Sequence, residues 1–198
     1  LSDLNLVALY TCPWPGQGFY FKKAVNSSAD TQGIKFRSYN SATATFAEEL
    51  GMVPVQVEAA ELSQALATGV AESFISSGST GYDRKVWESL THYYKVNAWL
   101  PRNYVIVNKG IWDGLGADTK ANVQKAADET GAACSAKSAE LANWYFEQLS
   151  ANGMSVEDAS SDFLAELEAI GTKMTADWLS AAGSDGQAII DNYKAMAN

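Results

Sequence analysis

The chain has 198 residues, of which 47% are hydrophobic and 19% are charged. This length supports a substantial core in one domain or two interleaved lobes, and the composition argues against intrinsic disorder. The formal net charge of -9 argues against nucleic acid and anionic membrane surfaces as partners, because both bind clustered Lys and Arg side chains.

The first half of the chain alternates short apolar runs with short helical patterns. The apolar runs predict strands at residues 4–10, 34–39, 53–57 and 71–76. Between them, "SATATFAEELG" predicts a helix that Ser41 caps and Gly51 ends, and "AAELSQALATG" predicts a second helix. "CPWPGQG" and "SSGSTG" are predicted loops. This alternation indicates βαβ units and a largely parallel sheet.

The second half is mostly helical. After a strand in "LPRNYVIVNK", residues 117–153 have helical spacing throughout and predict one long helix. Residues 160–183 and 184–198 predict two further helices. Trp112, Trp144 and Trp178 lie within helical patterns, and we expect them in the core.

The two cysteines, Cys12 and Cys134, are far apart in the sequence. They form either one disulfide in an oxidising compartment or two ordinary buried thiols. Their number alone does not distinguish the two.

Catalytic and metal-binding motifs are missing from the sequence. His92 is the single histidine, no G-x-S-x-G elbow accompanies it, and its flanks indicate a strand, so we expect a structural role. "SSGSTG" has neither the spacing nor the lysine of a phosphate loop. Cys and His pairs at metal-ligand spacing do not occur. We therefore predict no catalytic residues, no metal and no cofactor.

Arg37 is the most informative polar residue, because it ends an extended run and precedes a loop. Its planar guanidinium can hold a carboxylate through two parallel hydrogen bonds, and ligands of parallel α/β sheets bind where strands end. An ion pair with one of the many acidic side chains is the alternative. Position alone favours neither.

Several aromatic residues fall in or near loops and strand ends rather than at regular core spacing. They either line a pocket for an organic ligand or anchor the local chain. They are Trp14, Phe19, Tyr20, Tyr39 and Trp99.

Three segments together resemble the periplasmic solute-binding subunits of TRAP transporters, the DctP family. They are "GIKFRSYN", which contains Arg37, the strand–helix unit from Pro54 to Gly69, and "VNKGIWDGL" before the long Ala-rich helix. The resemblance runs from about Leu6 to the C-terminus and covers the C-terminal two-thirds of the family's usual chain.

The resemblance implies an α/β, two-lobed periplasmic-binding-protein-like fold with a long bracing helix and a helical C-terminal region. Residues 1–198 then form a solute-binding region that lacks the family's N-terminal portion. About residues 33–108 form mainly the second α/β lobe, and residues 109–198 form the bracing helix and the C-terminal helices. A missing N-terminal segment or a companion chain is expected to complete the cleft.

The resemblance also implies roles for individual residues. Arg37 pairs with the ligand carboxylate, and Asn40 lines the pocket. Gln17 stands near the position at which some members carry a second arginine for the carboxylate. The neutral side chain of Gln17 suggests that a single arginine holds the carboxylate here. Ser76 stands where many members place an asparagine, and Ser77 adds a second hydroxyl. The complete predicted set is Arg37, Asn40, Trp14, Phe19, Gln17, Tyr39, Ser76, Ser77 and Trp99.

By resemblance the protein captures a small organic carboxylate, bulky and aromatic acids included, in the periplasm. It then delivers this ligand to the membrane permease subunits of a TRAP transporter, without catalysis. The alternatives are a ligand-sensing module for a membrane receptor and an enzyme that acts on an organic acid.

Overall fold

Strands and helices alternate along the first half of the chain and helices dominate the second half. The computed structural model describes residues 1–197. In this range the strands are β1 (Leu6–Pro13), β2 (Gln17–Phe21), β3 (Lys35–Ser38), β4 (Val53–Gln56), β5 (Ser73–Ser76), β6 (His92–Trp99), β7 (Arg102–Asn108) and β8 (Ser155–Asp158). The α-helices are α1 (Ser41–Glu49), α2 (Leu62–Thr68), α3 (Gly78–Asp83), α4 (Lys109–Asp113), α5 (Ala117–Ala151) and α6 (Ser161–Ala197).

The chain forms two compact units. Unit 1 contains residues 1–23 and 74–158, and unit 2 contains residues 24–73 together with the chain from Ala159 onward. The predicted mixed α/β class with two lobes is therefore confirmed. The predicted assignment of residues 33–108 and 109–198 to lobe and bracing helices stays a prediction.

Unit 1 contains a mixed sheet with the strand order β5-β2-β6-β8. β2 runs antiparallel to β6, whereas β6 and β8 are parallel, and β1 forms a separate antiparallel pair with β7. The predicted largely parallel arrangement is therefore wrong for the β2–β6 and β1–β7 pairs, and it agrees with the β6–β8 pair. Its core is aromatic, because the fully buried Tyr20 ring stacks on Phe74 at 4.3 Å and contacts Tyr93 at 4.5 Å.

The strand β2 is buried at every position, although its first two residues were predicted to belong to a loop. Gly18 explains the difference. A Cβ atom there would clash with the carbonyl oxygen of Tyr94 and approach the Tyr93 hydroxyl to 2.7 Å. The glycine therefore allows β2 to lie close against β6.

A disulfide joins β1 to the long helix α5. α5 has 35 residues, a length of roughly 52 Å at the usual rise per residue. Cys12 and Cys134 are bonded, with their Cα atoms 5.7 Å apart, and four residues further along α5 the Ser138 hydroxyl donates to the Pro13 carbonyl at 2.7 Å. The end of β1 is thus attached to the helix by a covalent bond and a hydrogen bond.

Unit 2 is built on the parallel pair β3 and β4, in which Arg37 is opposite Val55. Phe36 and Phe46 lie in its core, and α6 contributes the fully buried Phe163. The Glu166 carboxylate of α6 accepts a hydrogen bond from the Ser28 backbone N–H at 2.6 Å, so the start of α6 is held to this unit by both apolar and polar contacts.

Gly183 interrupts α6 with a φ of 62°, in the left-handed region that favours glycine. The prediction of two C-terminal helices is thereby confirmed. The expectation that the helical tryptophans are core residues is wrong for Trp144 and Trp178, which are 39% and 46% exposed. Within residues 1–197, no helix combines the length and the apolar character that a membrane-spanning segment needs.

The disulfide closes a loop of 122 residues. We predict that the double variant Cys12→Ser/Cys134→Ser lowers the free energy of unfolding by about 2–4 kcal/mol, because the unfolded chain regains conformational entropy. Urea denaturation measures the change. The matched control, Ser135→Ala, removes an exposed side chain of the same helix and should stay within about 0.5 kcal/mol of the wild type. Equal midpoints for all three proteins would contradict the prediction.

Candidate functional site

Arg37 is buried in unit 2 with only 5% of its surface exposed. It lies in β3, where Phe36 and Ser38 are also buried and only Lys35 is exposed. Such a strand is covered on both faces, as is typical of parallel pairs. The guanidinium is therefore held inside the unit by its strand, away from bulk water.

Two groups of the protein contact this guanidinium. The Arg37 Nε–H donates to the Val57 carbonyl oxygen at 2.8 Å, and the Arg37 Cζ lies 5.1 Å from the centroid of the Tyr39 ring. Burial lowers the pKa of Arg37 from its usual value, while Tyr39 and the Glu58 carboxylate oppose this shift. Because the usual pKa of arginine lies far above neutral pH, the side chain stays protonated at neutral pH despite this lowering.

A protein carboxylate does not neutralise Arg37. Among residues 1–197, no Asp or Glu oxygen lies within 4 Å of its nitrogens. A buried charge without a partner is costly, and such charges are usually paired or bound to a ligand. The internal ion pair that the sequence left open is therefore not formed.

Asn40 begins the helix α1. Its Oδ1 accepts a hydrogen bond from the Thr43 N–H at 2.8 Å, and the Thr43 hydroxyl accepts from the Asn40 N–H at 3.2 Å. The predicted cap, Ser41, is instead the first helical residue. This prediction is wrong by one position, because either side chain can cap a helix and Asn40 has the extended backbone that a cap requires.

The Thr43 side chain also organises the loop after Arg37. Its hydroxyl accepts from the Tyr39 N–H at 3.2 Å and donates to the Asn40 carbonyl at 3.0 Å. Thr43 is fully buried. The loop that carries Tyr39 and Asn40 is thus tied to the first turn of α1.

In unit 1, Ser76 and Ser77 lie at the end of β5 and are buried. The Tyr20 hydroxyl donates to the Ser77 carbonyl at 2.9 Å, and the Ser77 and Ser79 hydroxyl oxygens are 2.8 Å apart. The segment after Ser77 is the short helix α3, so the prediction of a Gly/Ser loop is wrong there. The two serines are consequently held by the sheet, the helix and a buried tyrosine.

Gln17 and Trp99 are directly opposite each other in the β2–β6 pairing. Gln17 is buried and Trp99 is half-buried. Phe19 is fully buried and stacks on Phe21 with ring centroids 5.6 Å apart, so its ring is part of the unit 1 core. Contact of these three residues with a ligand stays a prediction.

Trp14 lies in the connection between β1 and β2 and is 40% exposed. Its indole N–H donates to the Asn103 Oδ1 at 3.0 Å. It lines a cavity of about 310 Å³ in unit 1, together with Asn103, Ser138 and Tyr145. None of the other predicted residues lines this cavity.

The nine predicted residues thus fall into two groups. Unit 2 holds Arg37, Tyr39 and Asn40 close together, and unit 1 holds the other six. Sequence reasoning missed two residues that support Arg37 and its loop, Val57 and Thr43. The Asn40-x-x-Thr43 spacing of a capping box is a signal for Thr43. Val57 contributes a backbone carbonyl, and because every residue has one, the sequence cannot predict this contact.

The model for bacterial extracellular solute-binding protein, family 7 (DctP), matches residues 17–181. The C4-dicarboxylate-binding periplasmic protein DctP of Rhodobacter capsulatus is 34% identical over 102 residues, which cover 51% of this chain and 31% of that protein.

Solved structures give more extensive similarity. A TRAP solute-binding protein from a marine metagenome (unidentified microbe), specific for pyroglutamate and crystallised with the co-purified ligand, is 81% identical with a TM-score of 0.94. DctP6 of Bordetella pertussis, an extracytoplasmic solute receptor binding pyroglutamic acid, is 41% identical with a TM-score of 0.95. Each match covers 98% of this chain and 64% of the other, so the chain spans less than two thirds of these relatives.

The capping geometry gives a stability prediction. Replacing Asn40 with alanine leaves the Thr43 N–H without its acceptor, and we expect a loss of about 1 kcal/mol in the free energy of unfolding. Ser41→Ala is the matched control and should change this free energy by less than about 0.5 kcal/mol. Chemical denaturation of both variants distinguishes the two caps, and a larger loss for Ser41→Ala would contradict the assignment.

Proposed function

Because the chain belongs to the DctP family of bacterial extracellular solute-binding proteins, family 7, we propose that it captures a small organic carboxylate in the periplasm for a TRAP transporter. The membrane permease subunits of that transporter are the proposed recipients of the ligand. Capture requires no chemical step, and we infer that the protein is a binding protein and not an enzyme.

The observation that carries this proposal is the state of Arg37. Its guanidinium is buried and protonated, and among the described residues no carboxylate oxygen lies within 4 Å of its nitrogens, although Glu58 acts on it from a greater distance. Inside a protein the attraction between such a cation and a carboxylate is stronger than in water. A ligand carboxylate therefore supplies the charge that the protein does not.

We infer that the ligand is pyroglutamate. The two similar proteins described above bind this compound, and one of them is 81% identical to the chain. Pyroglutamate has one carboxylate and an uncharged lactam ring. It is smaller than the bulky and aromatic acids that the sequence also allowed.

The charges of the nine predicted residues agree with this ligand. Arg37 is the single cation among them, and none of them is acidic. A second carboxylate would need a second cation, and an α-ammonium group would need an acidic partner when it leaves water. A ligand with one carboxylate and no ammonium group meets both conditions.

The first test replaces Arg37. We predict that Arg37→Ala keeps the fold and weakens pyroglutamate binding by at least about 100-fold, because a hydrogen-bonded charge pair is lost. Arg37→Lys should bind more tightly than Arg37→Ala but more weakly than the wild type, since an ammonium group cannot form the two parallel hydrogen bonds of a planar guanidinium. Isothermal titration calorimetry on the full-length protein measures both affinities.

Arg102→Ala is the matched control for that experiment. Arg102 is exposed in β7 and donates to the Thr11 hydroxyl at 2.9 Å, so its loss should leave the affinity unchanged. Circular dichroism checks that each variant is folded. Normal binding by Arg37→Ala would refute the proposed function.

The second test compares ligands. We predict that the wild type prefers pyroglutamate to glutamate and to succinate by at least about 100-fold, because an unpaired ammonium or second carboxylate costs several kcal/mol to desolvate. Competition against bound pyroglutamate gives all three affinities in one assay. Equal affinity for glutamate would exclude the inferred ligand class.

A further inference from the structure

The Arg37 side chain uses one of its donor groups inside the protein and leaves the others available. Its Nε–H is engaged by the Val57 carbonyl at 2.8 Å. Within residues 1–197, its two Nη groups form no hydrogen bond and no ion pair. The edge of the guanidinium that carries Nη1 and Nη2 is thus the part that can receive a ligand carboxylate.

The Val57 carbonyl is itself held in place. The Val57 N–H donates to the Ser38 carbonyl at 3.2 Å, one residue beyond Arg37 on β3. The backbone that follows β4 is therefore tied to the strand that carries the arginine. The hydrogen bond from the Arg37 Nε–H to the Val57 carbonyl fixes the position of the Nε atom. By itself it still allows the guanidinium plane to rotate about the direction of this bond.

The Tyr39 ring is the second contact, and it restrains this rotation. The ring centroid lies 5.1 Å from the Arg37 Cζ, within the usual range of a cation–π interaction. The position of the ring follows from the loop, because the Tyr39 N–H is held by the Thr43 hydroxyl at 3.2 Å. A desolvated cation gains more from an aromatic face than an exposed cation does.

We propose that Tyr39 is a positioning residue, whose aromatic face holds the Arg37 guanidinium so that Nη1 and Nη2 meet the ligand carboxylate end-on. This inference rests on the proposed function, and it changes the role of Tyr39 from direct ligand contact to action through Arg37. The proposal assigns this role to the aromatic ring of Tyr39, which lies close to the Arg37 Cζ.

The first experiment needs no ligand. Exchange of the Arg37 Nε–H proton with water, followed by nuclear magnetic resonance, reports how well the guanidinium is held. Tyr39→Leu should accelerate this exchange by about tenfold or more, because the side chain loses one of its two restraints. Tyr39→Phe keeps the ring and should restore slow exchange. Unchanged exchange in Tyr39→Leu would overturn the positioning role.

The second experiment measures pyroglutamate binding by calorimetry on the full-length protein. Tyr39→Leu should bind about 5- to 30-fold more weakly, and Tyr39→Phe should recover the affinity to within about threefold. Tyr104→Leu removes an exposed tyrosine of β7 and serves as the control without effect. If Tyr39→Phe binds as weakly as Tyr39→Leu, the affinity depends on the hydroxyl and not on the ring, and the inference is wrong.

Chemical rescue separates action through Arg37 from direct contact. Methylguanidinium added to Arg37→Ala should restore part of the pyroglutamate binding, because the Val57 carbonyl and the Tyr39 ring still form a binding site for the added cation. The double variant Arg37→Ala/Tyr39→Leu should lose this rescue, and equal rescue in both would contradict the inference. A different pair of results would refute the proposed function and leave the positioning role intact. In that case the wild type binds no pyroglutamate, but its slow Arg37 Nε–H exchange still depends on the Tyr39 ring.

Discussion

The Arg37 guanidinium carries a charge into the interior of unit 2, where only 5% of the residue is exposed and no described carboxylate lies within 4 Å. Folding bears the cost of desolvating this cation, and the Val57 carbonyl and the Tyr39 ring offset only part of it. A protein that needed only stability would gain from an apolar side chain here. The arrangement is understandable when the missing anion comes from a ligand.

The elements around this cation are placed to keep it in one orientation. β3 carries it, the end of β4 accepts its Nε–H, and the first turn of α1 holds the loop with Tyr39 through Thr43. Binding groups supported by strands and helices are held more accurately than groups on free loops. Unit 1 follows the same principle, since buried Tyr20 fixes the Ser77 carbonyl, and burial raises the pKa of Tyr20 so that its hydroxyl remains a donor.

Local patterns predicted β3, α1, β4 and the long helix α5 because apolar spacing, caps and glycine stops act within a few residues. The course of β2 could not be predicted in this way, since Gly18 is explained by Tyr94, which is distant in the sequence. Asn40 is the cap because its backbone is extended and its side chain accepts the Thr43 N–H, and the sequence does not report either feature. The candidate site was predicted through Arg37 and its loop, but the Val57 carbonyl has no sequence signal, and the exposure of Trp144 depends on packing that periodicity does not report.

The central claim is that a ligand carboxylate completes the charge of Arg37. Nitrogen-15 resonance of the arginine guanidinium groups during a titration with pyroglutamate tests this most directly. The account predicts that the two Nη signals of Arg37 shift and become distinct as the ligand saturates, because both donate to the carboxylate, while its Nε signal stays close to its starting position on the Val57 carbonyl. Binding of pyroglutamate without any change in the Arg37 Nη signals would contradict the account.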